Sequence, residues 1–308
     1  MDELDRKLII ELQNNPRQTN KYLATILNTN EVTISRRIEQ LVASDTIRLT
    51  ALPNLTMFGY HLRLFITLRT VNRAMEKIGE QLCKIDCVRF VSSCVGFADF
   101  YITADLESLD FLNIFITKHL GSIEGVNKIQ TIIPYKDIKR THSRLDSSGF
   151  INNVIGRNKK VSADEVDIHL ILLLQKNARA PLKELASEIG VSEVTVHRRI
   201  IELVNSGFIV LTAIPNNAKI GYPARCFVFI ETQLSKLNYV AEFISQFPQV
   251  HYVGLISGQT QIMAGIRASS DEALSDFVTR VAGKIEGVLS IETLTFLKVL
   301  KNNYTWLN

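Results

Sequence analysis

Two short stretches of the sequence, EVTISRRIEQ (31–40) and EVTVHRRIIE (193–202), carry the side chains best suited to chemistry. On a helix, their apolar residues recur at i, i+4 and i+7 and must face a core, which turns hydroxyl, imidazole and guanidinium groups outward. Such groups near a helix N-terminus can bind base edges and phosphates in the major groove of DNA. The residues expected to contact DNA are Thr33, Ser35, Arg36, Arg37, Gln40, Thr195, His197, Arg198 and Arg199.

Two amphipathic segments precede each stretch and predict the helices that position it. In the first half they are residues 4–15 and 19–27, with apolar side chains at helical spacing. Asn28 and its counterpart Gly190 follow the second helix, and both types tolerate the left-handed conformation of a tight corner. Three helices with such a corner predict a helix-turn-helix. A solvated face with two arginines is the ordinary alternative, but the same pattern twice favours DNA binding.

The chain is a tandem duplication with a constant offset of 162 residues. Between residues 31 and 60, 17 positions are identical to their counterparts in the second half. The register holds from Asp2-Glu3 against Asp164-Glu165 to Glu124-Gly125-Val126 against Glu286-Gly287-Val288. The repeat, which extends from residue 2 to residue 126 in the first copy, is therefore a domain-sized unit rather than a solenoid module.

After each helix-turn-helix the apolar period changes to two, which predicts strands. In the first copy the order is strand (from 60), helix (75–84), two strands flanking Gly96, helix (108–120) and strand (126–133). The fold class is therefore α+β, with two tandem copies of a winged-helix-like helix-turn-helix domain followed by a ferredoxin-like βαββαβ domain. The sheet face without helices carries Phe65, Thr67, Tyr101, Phe227 and Phe229, so it needs cover from the other copy or from another chain.

Composition and charge set limits on function. The net charge is +4, but residues 136–160 hold seven Lys/Arg against two acidic residues, whereas residues 1–50 are balanced. DNA binding must therefore depend on well-placed cations rather than on general attraction. Four cysteines without CxxC spacing predict free thiols in a reduced, cytoplasmic protein, with no metal, no cofactor and no membrane partner expected. The predicted domains are 1–54, 60–140, a linker at 141–162, then 163–216 and 222–308.

This order of elements, with Leu-Pro-Asn and Gly-Tyr before the ferredoxin-like domain, resembles the Lrp/AsnC (feast/famine) family of transcription regulators. The resemblance covers nearly the whole chain twice and implies pairing through effector domains, homo-oligomers and an amino acid as the small-molecule effector. Family ligand contacts cluster on a Gly-x-x-Asp loop, which is Gly96 to Asp99 in copy one and Gly258 to Gln261 in copy two. The equal alternative is that the glycines permit a hairpin that Asp99 caps. The effector residues implied are Gly96, Asp99, Tyr101, Gly258, Thr260 and Gln261.

Two other functions stay open. The same fold pair resembles siroheme decarboxylases, which bind a tetrapyrrole; the residues available for its carboxylates look scattered along the sequence, namely His61, Arg63, Tyr101, Arg225, His251 and Tyr252. No Ser-His-Asp order, phosphate-binding glycine loop or metal cluster indicates another catalytic site, so we expect no enzyme. A third possibility is an assembly partner that modulates another regulator without touching DNA.

Overall fold

A computed structural model describes residues 1–71, 75–141 and 163–302. The predicted linker beyond residue 141 and the tail that carries Trp306 lie outside these residues. The described chain forms two compact units. Residues 1–57 and 163–220 form the helix-turn-helix unit, and residues 58–71, 75–141 and 221–302 form the sheet unit. None of the helices described combines the length and apolar composition that a membrane crossing requires.

The two halves run through corresponding elements. The first half contains α1 (Glu3–Asn14), α2 (Asn20–Ile26), α3 (Glu31–Ala43), β1 (Ile47–Pro53), β2 (Leu62–Thr70), α4 (Met75–Cys83), β3 (Val88–Gly96), β4 (Phe100–Leu106), α5 (Leu109–Ile114, continued by a π-helical turn, Phe115–Leu120), β5 (Val126–Ile132) and β6 (Pro134–Arg140). The second contains α6 (Glu165–Lys176), α7 (Leu182–Ile189), α8 (Glu193–Asn205), β7 (Ile209–Pro215), β8 (Ala224–Thr232), α9 (Leu237–Ser245), β9 (Val250–Ile256), β10 (Ile262–Ala268), α10 (Asp271–Asp276) and β11 (Val288–Asn302). This order confirms the tandem α+β prediction.

The last strand differs between the copies and from the sequence prediction. One strand was expected over 126–133, but copy one continues as β6, and copy two joins both segments into β11. Pro134 begins β6, whereas Phe296 occupies the equivalent position inside β11. Proline has no N–H for the ladder, so it interrupts the strand in copy one only.

Both helix-turn-helix corners form as predicted. Asn28 and Gly190 are left-handed, with φ of 52° and 81°, and the side chains of Asn30 and Ser192 cap the helices that follow. The apolar faces of α1 and α3 contribute six buried residues to the first copy's core: Leu8, Ile9, Leu12, Ile34, Ile38 and Leu41. The helical spacing of apolar residues over 19–27 also predicts Ile26 in this core, but it is 42% exposed on the same face of α2 as Tyr22.

The two helix-turn-helix domains are joined reciprocally through an antiparallel pair formed by β1 and β7. Thr50 pairs with its own counterpart, Thr212, at the centre of the register, so a pseudo-two-fold axis passes between them. Across this axis Arg17 Nη1 donates to the carbonyls of Ala178 (2.8 Å) and Ala180 (3.1 Å). Arg179 Nη1 donates likewise to Pro16 (2.7 Å) and Gln18 (2.9 Å). One chain therefore contains a paired helix-turn-helix unit.

The sheet unit is built on a nine-stranded sheet in the order β5-β2-β4-β3-β11-β8-β10-β9-β6. The first part of β11 pairs with β8 of its own copy, and its last part pairs with β3 of the other copy. β11 is thus the central strand, with four strands on each side, and it contributes to a separate core against helices in each half. A third apolar cluster, here called the inter-sheet layer, lies on the opposite face and draws on both copies: Phe65, Cys94, Tyr101, Phe227, Phe229, Tyr252 and Met263 among others. The two copies therefore cover each other's aromatic faces, one of the two arrangements expected.

Candidate nucleic-acid interface and ligand cavity

The outward face of α3 presents a mixed set of side chains. Arg36 and Gln40 are exposed, and Thr33 and Ser35 are half-buried beside them. Ser35 Oγ donates to Glu39 Oε1 at 3.0 Å, and the backbone amide of Thr33 is taken up by the N-cap. Arg36 and Gln40 are consequently the residues of this set that are most available to a base or phosphate.

The equivalent face of α8 repeats this arrangement with different chemistry. His197 replaces Ser35 and is exposed, and Glu202 replaces Gln40. The Arg198 side chain is 65% exposed, and its Nη1 lies 3.5 Å from Glu202 Oε1. A surface ion pair of this kind contributes little to stability, so the arginine is free to bind another anion in place of Glu202. Thr195 exchanges a hydrogen bond with Ser192 at the helix N-terminus. The two faces are thus related in position but not in the groups that they offer.

Arg37 and Arg199 do not lie free on these faces, contrary to expectation. Arg37 Nη1 is 2.7 Å from Asp2 Oδ2 and 2.6 Å from Asp5 Oδ1, so it joins α3 to the start of α1. Arg199 repeats the contacts with Asp164 and Asp167, both at 2.8 Å. The hydrogen bonds that both arginines donate to these carboxylates raise the pKa of each guanidinium. Because each guanidinium already has two carboxylates, its geometry favours a structural role over phosphate contact.

Val32 and Val194 are contact candidates that the sequence prediction left out of its DNA-binding set. Each is 79% exposed in the first turn of its helix, next to the threonine and one turn before the arginine of the outward face. An apolar side chain at this position can meet a thymine methyl group. Helical periodicity alone places this valine on the outward face of each helix, so the sequence did carry a signal for these two contact candidates.

A cavity of about 300 Å³ opens in the sheet unit between segments of both copies. Copy one contributes parts of β2 and β5 and the turn after β3, and copy two contributes parts of β8 and β11 and the turn after β9. Of the six predicted effector residues, Gly258 and Thr260 line this cavity. Its other polar and charged lining residues are Thr67, Arg69, Lys128, Gln130, Thr131, Ser257, Gln259 and Glu292.

Asp99 accepts hydrogen bonds from the end of β2. Its Oδ2 accepts from the amide of Thr70 at 2.7 Å and from the Thr70 hydroxyl at 3.2 Å. In copy two, Gln261 Oε1 accepts from the amide of Thr232 at 3.0 Å, so the two residues do the same structural task. Gly96 and Gly258 have φ of 130° and 132°, which favours glycine. These contacts support the interpretation of the loop as a capped hairpin.

Tyr101 lies inside the inter-sheet layer and not at the cavity. It is 1% exposed, and its ring centroid is 4.9 Å from that of Phe227. Within the described residues its hydroxyl has no hydrogen-bond partner, and burial raises its pKa well above the ordinary value. An effector in the cavity would therefore not meet this hydroxyl.

The residues considered for a tetrapyrrole are largely brought together by the fold. Phe227 lies 4.9 to 6.1 Å, centroid to centroid, from the rings of Tyr101, His251 and Tyr252. Arg63 and Arg225 alternate onto the same sheet faces as Phe65 and Phe227, and only His61 of the six is exposed. Their scattered appearance in the sequence was therefore misleading, because strands far apart in the chain are neighbours here. The described residues contain no group of three or more His, Cys, Asp or Glu placed to hold a metal ion.

Comparison with known proteins assigns the class. The AsnC-type helix-turn-helix domain matches residues 1–42 and 164–203, and the Lrp/AsnC ligand binding domain matches residues 63–144 and 225–306. This chain therefore belongs to the Lrp/AsnC family and contains both family domains twice.

Individual relatives match one copy at a time. The HTH-type transcriptional regulator FL11 of Pyrococcus furiosus is 34% identical over 139 residues, which cover 45% of this chain and 91% of the relative. The HTH-type transcriptional regulator LrpA of Pyrococcus horikoshii is 36% identical over 139 residues, covering 45% and 99%. Over 97% of the chain, the fold resembles the crystal structure of the siroheme decarboxylase NirDL, 93% of which is covered, with a TM-score of 0.68. The sequence identity to that enzyme is 13%, so this similarity concerns the fold alone.

Proposed function

We propose that this protein is a sequence-specific DNA-binding transcription regulator in which one chain supplies both reading helices of a two-fold site. The observation that carries the proposal is the β1–β7 pair, which relates α3 and α8 by a pseudo-two-fold axis within one unit. Two-fold related helices suit two half-sites on one duplex, because operator symmetry mirrors protein symmetry. The regulator relatives support the same conclusion.

The two halves of the preferred site should differ in sequence. The arginine and the valine of the outward face are shared, but Ser35 is replaced by His197 and Gln40 by Glu202. A glutamine side chain can form two hydrogen bonds with the major-groove edge of adenine. A glutamate carboxylate can only accept hydrogen bonds, for example from the amino group of cytosine. A fused chain therefore favours an asymmetric operator, which two identical readers would not distinguish.

The test is selection of genomic fragments by the purified chain, followed by footprinting at ~150 mM salt, where loose electrostatic binding is weak. We expect discrete protected sites that the Arg36→Ala/Arg198→Ala double variant no longer protects. Each single variant should lose protection mainly over its own half-site. Arg280→Ala removes an arginine that is 75% exposed in the sheet unit and should protect like the wild type.

Two results would count against this regulator. One is protection no stronger than non-specific background, with or without amino acids. The other is an undiminished regulatory effect of the double variant in cells, which would favour an assembly partner that does not touch DNA. Homo-oligomers formed through the sheet units and an amino acid effector belong to the same proposal. Light scattering at increasing concentration tests the oligomers.

A tetrapyrrole enzyme is the second candidate, and the gathering of Tyr101, His251 and Tyr252 around Phe227 is the observation that favours it. Its probe is iron-uroporphyrin III, followed by absorbance. A saturable Soret shift that Arg63→Ala/Arg225→Ala abolishes would favour the enzyme over the regulator. An unchanged spectrum at excess porphyrin would exclude it.

A further inference from the structure

The second helix of the first copy presents two apolar side chains to solvent. Tyr22 and Ile26 lie one turn apart on α2 and are 51% and 42% exposed, whereas the buried residues of this helix are Leu23 and Ala24. Residues four apart on a helix are neighbours, so the two side chains form one surface, here called the α2 patch. Its burial against a partner would be favourable, because apolar atoms would leave water.

The equivalent helix of the second copy has the opposite character. Glu184 and Glu188 replace Tyr22 and Ile26 at the offset of 162 residues, and both are exposed on α7. Across residues 1–71, 75–141 and 163–302 neither carboxylate takes part in an ion pair. Like charges at this helical spacing are destabilising, so a cation or a hydrogen-bond donor from a partner would stabilise α7.

A cleft of about 430 Å³, here called the α7 cleft, lies between α6 and α7, and the two glutamates line it. Leu173, Ala180 and Leu185 supply its apolar lining, and Lys176, the last residue of α6, lines it as well. Copy one has Glu11 in place of Leu173 and Gln18 in place of Ala180. The apolar lining is therefore a feature of the second copy.

The two copies thus differ in opposite directions at two neighbouring surfaces. Copy one combines an apolar helix face with polar residues beside it, and copy two combines an acidic helix face with an apolar cleft. The α2 patch matches the α7 cleft in chemistry. Ile26 and the Tyr22 ring can pack on the apolar lining, while the Tyr22 hydroxyl and the ammonium group of Lys21, exposed beside it on α2, can donate to the glutamates.

The partner that fits is a second copy of this chain. Tyr22 and Ile26 remain exposed in the described structure, so the cleft of the same chain does not cover them. A contact that joins the patch of one chain to the cleft of another is head-to-tail, and it leaves one patch and one cleft unused at its ends. Two identical helices could not form such a contact with this polarity, because both would carry the same residues.

We propose that the α2 patch of one chain docks in the α7 cleft of a second chain, through a head-to-tail contact between helix-turn-helix units. This association goes beyond the proposed function, since it forms without DNA. Such contacts repeat in an open row unless the rotation between neighbours closes a ring. The apolar surface is small, so each contact is weak and requires a high concentration of protein.

Sedimentation equilibrium of the full chain without DNA tests the contact. The average mass of the wild type should rise with concentration up to about 1 mM, the range of weak contacts. Tyr22→Glu/Ile26→Glu, the patch variant, gives α2 the residues of α7 and should weaken association at least about 10-fold, because like charges then face each other. Glu184→Lys/Glu188→Lys, the cleft variant, should weaken it similarly, because two lysines then face Lys21.

An equal mixture of the two variants distinguishes a head-to-tail contact from a symmetric one. The patch variant keeps its cleft and the cleft variant keeps its patch, so the mixture should regain wild-type affinity with one such contact for each two chains. Pairing through the sheet units is common to all these proteins and sets the baseline mass from which they are compared. A mixture that associates no better than its components would overturn the proposal.

Val42→Glu/Val204→Glu is the matched control. It introduces two glutamates at apolar positions of the same unit that are 44% and 40% exposed, and it should associate like the wild type. All variants change exposed side chains and should melt close to the wild type, so lost association could not be ascribed to unfolding.

Three further outcomes would overturn the proposal: a wild type that does not associate, an equal loss in the control, and a loss in the patch variant alone. The last would mean that the patch has an occupant other than the cleft, such as a second patch. Since no DNA is present, none of these outcomes depends on whether the protein is the proposed regulator, and failure of the footprinting test would leave this contact standing.

Discussion

Thr50 and Thr212 lie opposite each other at the centre of the β1–β7 pair, and each hydroxyl donates to the first helix of the other copy. Thr50 Oγ1 reaches the carbonyl of Gln175 at 2.8 Å, and Thr212 Oγ1 reaches that of Gln13 at 2.9 Å. Carbonyls in the last turn of a helix lack partners within that helix. Each hydroxyl therefore satisfies a helix end of one copy from a strand of the other.

Replacing both threonines by valine should destabilise the helix-turn-helix unit. Valine keeps the shape and strand preference but leaves each buried carbonyl without this donor, at a cost of about 1–3 kcal/mol per site. Urea denaturation followed by circular dichroism measures the change. Thr25→Val, at an exposed helical position, should stay within about 0.5 kcal/mol of the wild type. Equal midpoints for the double variant and this control would contradict the prediction.

Acid should weaken the same unit through its capping carboxylates. The amide of Asp5 holds the pKa of Asp2 below its ordinary value of 3.8, with help from Arg37, and Asp167 and Arg199 act likewise on Asp164. A lowered folded-state pKa means that the stabilisation is present above pH 3.8 and is lost as pH falls through the folded-state value.

Asp2→Asn/Asp164→Asn tests this pH dependence. Asparagine still caps the helix but has no charge for the arginine, so the variant should be less stable than the wild type at pH 7. The difference in urea midpoint should shrink at pH 3. A difference of the same size at both pH values would assign the effect to something other than these carboxylates.

Two equivalent glycines should respond differently to alanine. Gly96 and Gly258 share a positive φ, but a Cβ on Gly96 would lie 2.3 Å from the carbonyl oxygen of Thr293, whereas a Cβ on Gly258 meets nothing within 4 Å. Gly258→Ala should cost about 1–3 kcal/mol for the strained backbone alone. Gly96→Ala should cost more, because it also pushes β11 away from β3. Thermal unfolding of the two variants compares them, and equal losses would sink the steric account.

Burial should order the reactivity of the four thiols. It raises the pKa of Cys94 and of Cys226 to about 12 and that of Cys87 to about 11, with a smaller rise for Cys83. Since the thiolate is the nucleophile, iodoacetamide at pH 8 should modify Cys83 first and leave Cys94 and Cys226 intact. All four should react in guanidinium chloride. Mass spectrometry of peptides gives the order; early labelling of Cys226 in the folded protein would contradict it.

Features that depend on short-range patterns could be predicted from the sequence. The helix-turn-helix corners at Asn28 and Gly190 follow from local conformational preference, and the outward positions of Arg36 and Arg198 follow from helical periodicity. The β1–β7 pair could not be predicted in this way, because strand period does not specify which edge a strand joins. Its central residue, Thr50, carries no signal in the sequence beyond its identity with Thr212.

The candidate sites show the same limit. The sequence analysis listed Arg37 among the residues expected to contact DNA, but its ion pairs with Asp2 and Asp5 depend on how α1 packs against α3. The cavity combines parts of strands and turns of both copies, so its charge pattern appears only once the register of Arg69 against Lys128 is known. The resemblance of the loop to the family pattern named Asp99 as a ligand contact, whereas only the fold shows that its carboxylate accepts a hydrogen bond from the amide of Thr70.

The β1–β7 pair and the reciprocal contacts of Arg17 and Arg179 form a seam between the two copies, and this seam has a consequence for how such a protein can evolve. When two identical chains pair, one codon sets both sides of the axis, and every substitution arrives twice. In this chain the two sides have separate codons, so each half can change while the other is held constant. Thr50 with Thr212 and Arg17 with Arg179 have stayed alike, whereas Ser35 and His197 have drifted apart. Covalent fusion thus lets the outward faces of α3 and α8 diverge separately while the contacts that join the two copies stay the same.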